Sequence, residues 1–446
     1  MTYYVLPFIP VLCNVYKTLE EDYGVSLDTI HNFATDKTNR TLISFGQLLT
    51  KKKNYKLSNK YIKNIEKSIF DKYYMRYLND YCKLYIDSGG YQCGQGYINK
   101  EDIPKFCDLY KEFLTSNNDK IAYAFTLDIP PNNVVFNSWK EVESYNKITY
   151  ESLTELPANV LEKIIFVFHF RSANIWPIWT RIAEQYADKY TSNYWSVGGI
   201  AGFTVNNVLP CWLYSIPLSY FLHIMKDKDN LKFHILGDFS WTTIFFSRLV
   251  TKLIKLIYNK HITVTYDATS IVTGNLRYRY LWKFDSSTGF VDKILLKREF
   301  KNLMYKGKSY LEHALEALTT IANKYNLPDL EVSDLDKEGT SSFHPQVSAY
   351  FVIQTIDAYY NIEQYCDSIS NEIVKLYADD NIVEFNTAIM ETLQKLHNGK
   401  LSHKLMQKRG YGYNTIKTID NLVMAQEYIK VMQDEFRFVN QPLTWA

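Results

Sequence analysis

The chain has 446 residues, of which 46% are hydrophobic and 22% charged, with a formal net charge of +2. That much apolar side chain excludes global disorder, and no uninterrupted apolar run reaches the length of a membrane span. The near-neutral charge says little about partners.

The N-terminal stretch is apolar but carries neither a basic leader nor a small-residue cleavage site, so residues 5–13 read as a strand and not as a signal peptide. Further short β-branched and aromatic runs follow at 42–45, 84–87, 123–128, 164–170, 195–199, 233–236 and 262–267. Continuous apolar runs of this length suit strands buried on both faces, as in a parallel sheet. Segments between them have helical periodicity, for instance 103–114 and 241–258. Residues 51–77, with a run of lysines, read as a basic insertion after the second strand.

After Asp267 the pattern changes. Residues 276–300 are basic and aromatic and suit a hairpin or an extended excursion. From Ser309 the chain reads as helices, interrupted near Asn326 and by a polar loop at 334–342, with a long helix predicted over 347–377. Eight strands alternating with helices predict an α/β fold, a (β/α)8 TIM barrel with insertions and a helical C-terminal region. The expected division is a barrel core over 1–285 and a mainly helical region over 286–446 that includes the barrel-closing helix.

The six cysteines stand in no CxxC or CxC arrangement, so no zinc knuckle or disulfide framework is predicted, and a reduced cytoplasmic compartment is the simplest reading. The 37 tyrosines, with many Lys, Asn and Ile, resemble the bias of an AT-rich genome, bacterial or viral; for a virus the compartment is the host cytoplasm.

Five predicted strands run straight into polar or glycine-rich turns: Asp87-Ser-Gly-Gly-Tyr-Gln, Asp128-Ile-Pro-Pro, Gly198-Gly-Ile-Ala-Gly, Gly237-Asp-Phe-Ser and Asp267-Ala-Thr-Ser. In a barrel these ends meet on one face, where active sites lie. Two carboxylates facing across a sugar can split a glycosidic bond, one attacking the anomeric carbon while the other moves the proton of the leaving group. A third can accept hydrogen bonds from a guanine-like edge. Each aspartate also has an ordinary reading as a turn or helix cap, and His169, in an apolar strand, as a satisfied core histidine.

The segment Ile86-Asp87-Ser88-Gly89-Gly90-Tyr91-Gln92 resembles the signature of the tRNA-guanine transglycosylase superfamily, including its phage-type DNA-acting members. Leu127-Asp128-Ile129-Pro130-Pro131, Ser196-Val197-Gly198-Gly199-Ile200, His234-Ile235-Leu236-Gly237 and Tyr266-Asp267 are similar to further motifs of that family, in the same order. The resemblance covers roughly residues 80–275. It implies that Asp267 is the nucleophile of a covalent glycosyl-enzyme intermediate and Asp87 the general acid/base. It also implies that Asp128 reads the base with Gly198 and Gly199, with Ser88 in the same pocket and Tyr91 stacking on the base.

Three departures qualify the resemblance. His169 stands near the family's base-reading glutamine and presents a different donor set. The family's cysteine cluster after the nucleophile is missing, Cys366 being the one later cysteine, so neither metal nor other cofactor is expected. No appended RNA-binding module is evident. The expected function is therefore exchange of guanine in DNA for a 7-deazaguanine of the preQ0/preQ1 type. The same exchange on tRNA, and an inactive barrel that binds nucleic acid or a partner enzyme, stand as alternatives. The flipped-out nucleotide needs cationic, aromatic surface beside the site; the candidates are 51–77, Arg277 and Arg279, and 404–413. No membrane partner is expected, and the oligomeric state is left open.

Overall fold

The computed structural model describes residues 2–4, 6–7, 40–46, 83–130, 135–170, 176–199, 215–238, 240–267, 280–295, 304–305, 307–335 and 345–396. Two short strands, β1 (Thr2–Tyr4) and β2 (Leu6–Pro7), open the chain. Seven longer ones follow: β3 (Arg40–Ser44), β4 (Lys83–Asp87), β5 (Ile121–Phe125), β6 (Ile164–His169), β7 (Tyr194–Gly198), β8 (Leu231–Ile235) and β9 (Ile262–Tyr266). β3 to β9 lie side by side in chain order, every neighbouring pair parallel. β2 pairs with β3 at one edge and β1 with β9 at the other, both parallel.

The chain is thus an α/β protein whose sheet is a seven-stranded parallel half-barrel, with short strands at both edges. The predicted closed barrel of eight strands is not what the described residues contain: seven long parallel strands carry only short strands at their edges, and of the predicted first strand, 5–13, only Leu6 and Pro7 lie among the described residues. The third long strand also differs from the predicted 123–128. It spans Ile121–Phe125, because the Thr126 hydroxyl accepts from the backbone N–H of Val167 and the chain leaves the ladder there.

Curvature follows from contacts between strands that are not neighbours. In a flat sheet, β5 and β8 would stand about 14 Å apart, three strand spacings. Yet the rings of Phe125 and His234 are 5.0 Å apart, and Lys232 donates to the Tyr123 hydroxyl at 2.5 Å. Leu42, Tyr85, Phe125, Ile165, Val167 and Tyr194 form a small core on the concave face. Alternate residues, such as Ile86, Phe166, Phe168, Trp195 and Phe233, join the large outer core beneath the helices. Burial of all six residues of β6 is the consequence of a sheet covered on both sides.

The helices that matter for the site are α1 (Gly90–Gly94), α2 (Ile103–Ser116), α3 (Trp139–Leu153), α4 (Trp176–Tyr186), α5 (Ser215–Ile224) and α6 (Trp241–Tyr258). The predicted helix at 103–114 runs two residues further, and that at 241–258 has the predicted bounds.

Beyond the sheet, β10 (Tyr280–Asp285) and β11 (Phe290–Leu295) form an antiparallel hairpin within the predicted excursion. Helix α7 (Tyr310–Tyr325) starts with a capping box of Ser309 and Glu312 and stops at Asn326, whose φ of 53° ends the helix. Helix α8 (Pro345–Ala378) packs along α6. It is tied there by Arg248, which pairs with Glu363 and lies 3.5 Å from Asp367. Tyr359 of α8 also meets the hydroxyl of Tyr266 at 3.1 Å, at the end of β9. Among the described residues no helix is long and apolar enough to cross a membrane.

Candidate functional site

Asp87 is the last residue of β4, and Asp267 follows directly on β9. Each lies in the other's electrostatic field, and Asp128 shares that field. Burial pushes the Asp87 carboxyl up from 3.8 to about 7. The Ser44 hydroxyl and the Gly89 amide pull it down, while the negative charges of Asp128 and Asp267 add to the rise. A carboxyl poised near neutrality can give a proton to a leaving group and take one back.

Asp128 sits beyond the end of β5, on a loop held from behind by α3. The Asn146 side chain accepts from Ile129 N at 2.8 Å and donates to Ile129 O at 2.9 Å, and the Thr149 hydroxyl donates to Leu127 O at 2.8 Å. Asn146 and Thr149 are fully buried, so α3 turns polar side chains inward to satisfy a loop that makes no sheet ladder. On the other side Gly90 allows close approach: a Cβ there would stand 1.5 Å from the Asp128 carbonyl oxygen. The Asp87 turn and the Asp128 loop are therefore locked backbone to backbone.

The Asp128 carboxylate, 4% exposed, is engaged at both oxygens. Ser88 Oγ donates to Oδ1 at 3.4 Å, and His169 Nε2 lies 2.6 Å from Oδ2. His169, buried at the end of β6, stacks on Trp179 of α4 with ring centroids 4.7 Å apart. A Cβ on Gly198 would come within 2.9 Å of its Cε1, and one on Gly199, where φ is 76°, within 2.9 Å of its Nδ1. The glycine pair thus makes room for an imidazole, a role the sequence reading did not give it. Nδ1 of His169 and Oγ of Ser196, two residues before Gly198, are buried without a hydrogen-bond partner among the described residues. An unpaired buried polar atom at a strand end, such as Nδ1 of His169, is what a polar ligand would satisfy.

Asp267, 5% exposed, is held differently. His234 Nε2 lies 3.0 Å from Oδ1, and the Gly237 amide donates to the same oxygen at 2.9 Å. Asp238, next in that turn, is buried and its carboxyl is pushed up to about 6 by burial, with the charge of Asp267 adding to the rise and the Thr243 hydroxyl opposing it. Neither His234 nor Asp238 was picked out as a site residue from sequence. The available signal was their position: a histidine inside an apolar strand and an aspartate in the turn that follows it.

The structure therefore brings together Asp87, Ser88, Asp128, His169, Gly198, Gly199 and Asp267. Tyr91 lies on α1 beside them and is 60% exposed, with Tyr97 similarly exposed just beyond. Arg277 and Arg279, and the basic stretches 51–77 and 404–413, lie outside the described residues. Among the described residues no group of three His, Cys, Asp or Glu side chains is arranged to hold a metal ion. No protein-family model and no curated protein matches the chain.

Proposed function

We propose that the chain is a base-exchange transglycosylase that replaces guanine in DNA with a 7-deazaguanine. The observation that carries the reading is the shared site of Asp87 and Asp267 at the ends of β4 and β9, with Asp87 poised near neutrality by burial and by the neighbouring carboxylates. The fold goes with it. β1 and β2 pair with opposite edges of the half-barrel, so a single first strand through Val5 would close it as a (β/α)8 barrel.

In the first half-reaction, an Asp267 oxygen attacks C1′ of the flipped-out nucleotide. The glycosidic C–N bond breaks, its electron pair leaves with the base, and Asp87 supplies the proton that neutralises it. In the second half, Asp87 takes the ring N–H proton of the incoming base. That nitrogen attacks C1′, and the Asp267 carboxylate departs. The reaction is a base exchange with no net redox change. Asp128, steadied by Ser88 and His169, would face the base edge, and Tyr91 would lie on its plane. The choice of DNA rests on the missing cysteine cluster after Asp267 and on the composition bias of an AT-rich genome.

The test is incubation with radiolabelled preQ0 or preQ1 and either duplex DNA or tRNA. Label in DNA supports the reading. Label in tRNA alone would move the substrate to tRNA and keep the chemistry. No label in either polymer, with folded protein, would leave the inactive-barrel alternative.

A further inference from the structure

We infer that His234 is the positioning residue of Asp267: it decides which carboxylate oxygen reacts. The inference rests on the nucleophile role proposed for Asp267.

His234 is fully buried on β8, and its ring packs against Phe125 from the far side of the half-barrel. Both ring nitrogens are engaged, Nδ1 with Thr265 Oγ1 at 2.7 Å and Nε2 with Asp267 Oδ1 at 3.0 Å. Thr265 is the residue beside His234 in the β8–β9 ladder, and its hydroxyl also meets the Tyr194 phenol. An ionised carboxylate only accepts, so Nε2 must carry the proton. In a neutral ring Nδ1 is then an acceptor, which takes the Thr265 hydroxyl proton and leaves the Thr265 oxygen to accept from Tyr194. One direction of donation thus runs from Tyr194 through Thr265 and His234 to Asp267, along the inner face of the sheet.

The result is asymmetric. The imidazole N–H and the Gly237 amide both end on Oδ1, while no hydrogen bond from the described residues falls on Oδ2. Oδ2 is the oxygen left to bond C1′, and Oδ1 becomes the carbonyl oxygen of the ester. Donors on Oδ1 favour the carboxylate over the ester, so they assist its departure in the second half-reaction more than its attack in the first. A residue that merely filled space at position 234 would not shift that partition.

The experiment compares wild type with His234→Leu and His234→Gln, the second of which keeps a donor near the place of Nε2. His234→Leu is expected to lower kcat about 10- to 100-fold, the worth of one charge-assisted hydrogen bond. KM for DNA should change little, and a larger fraction of protein should be trapped as covalent adduct during turnover. His234→Gln should recover most of kcat and the wild-type adduct fraction. A folded His234→Leu with wild-type kcat and adduct fraction, or a His234→Gln as impaired as the leucine variant, overturns the inference. If His234→Leu does not fold, Thr265→Val carries the test, with the same expected rise in trapped adduct and the same overturning result. Should wild type show neither adduct nor exchange, the transglycosylase reading falls on its own. The tautomer then still decides whether His234 donates to Asp267: nitrogen NMR of 15N-histidine protein, assigned by the signal lost in His234→Gln, should give the Nε2–H form, and the Nδ1–H form refutes it.

Discussion

Two histidine–carboxylate pairs stand at the strand ends, made from the same parts and left in different states. His169 and Ser88 engage both oxygens of Asp128, whereas His234 and the Gly237 amide engage one oxygen of Asp267. A carboxylate held at both oxygens is fixed in place, as recognition requires. One held on a single oxygen keeps the other for bonding. The supports differ as well: Asp128 rides on a loop braced by the helix-borne Asn146 and Thr149, and Asp267 hangs from a chain inside the sheet. In the proposed reading, residue type alone does not separate the two roles; the number of engaged oxygens does.

That contrast is most exposed at Asp267. Asp267→Ala should abolish both covalent adduct and base exchange, read by denaturing gel and by label incorporation. Normal exchange in the variant would end the distinction between the two pairs. Asp87→Asn should bind nucleic acid as wild type does but react about 10²- to 10⁴-fold more slowly, the usual worth of a proton donor in place. An unaltered single-turnover rate would remove Asp87 from the chemistry.

A smaller effect belongs to the Asp128 side. In Gly198→Ala the new Cβ meets His169 and should displace it from Asp128. The expected cost is a rise of about tenfold in KM for the free base, the worth of a hydrogen bond, with kcat spared. A loss confined to kcat would mean that the Asp128 pair serves the reaction and not recognition.

The pH dependence is subtler. The Asp87 carboxyl is raised from 3.8 to about 7 by burial, so the folded protein holds this proton more tightly than the unfolded chain does. Its contribution to stability is fully present below its ordinary value and is lost as pH rises through about 7. Asp87→Asn should therefore gain in Tm over wild type at pH 8, and the gain should shrink towards pH 4. Equal differences at both pH values would show that Asp87 titrates normally. In wild type, base release should also slow above about pH 7 as the acid is lost.

The smallest expected effect is none: chelator treatment should leave Tm and exchange unchanged, since no cysteine cluster follows Asp267. About one tightly held zinc per chain by elemental analysis would contradict this.

Much of this arrangement was legible in the sequence because parallel strands buried on both faces give short apolar runs, and polar residues at their ends interrupt them. Asp87 and Asp267 stand at such strand ends, and the long helix predicted over 347–377 runs from Pro345 to Ala378. Asp128 was identified, but its strand was drawn to end three residues too late. A Thr-Leu-Asp run after Phe125 has strand-like composition; the Thr126 hydroxyl, which takes the Val167 amide, and the side chains of a later helix take it off the ladder. The place of His234, and the room the glycine pair makes for His169, were not legible for one reason. Their meaning depends on the register of neighbouring strands, which sets His169 beside Gly198 and His234 beside Thr265, and a linear pattern does not carry that.

The pairing of β1 with β9 has a consequence for biosynthesis. Thr2 lies opposite Val264, so during synthesis β1 waits for a strand that is made about 260 residues later. At synthesis rates of about 5–20 residues per second, that delay is on the order of tens of seconds. Through it, β1 lacks the β9 strand it pairs with. Nascent chains halted before residue 262 should therefore present an open β-edge to chaperones and to one another, and the site can assemble only after the partner strand emerges.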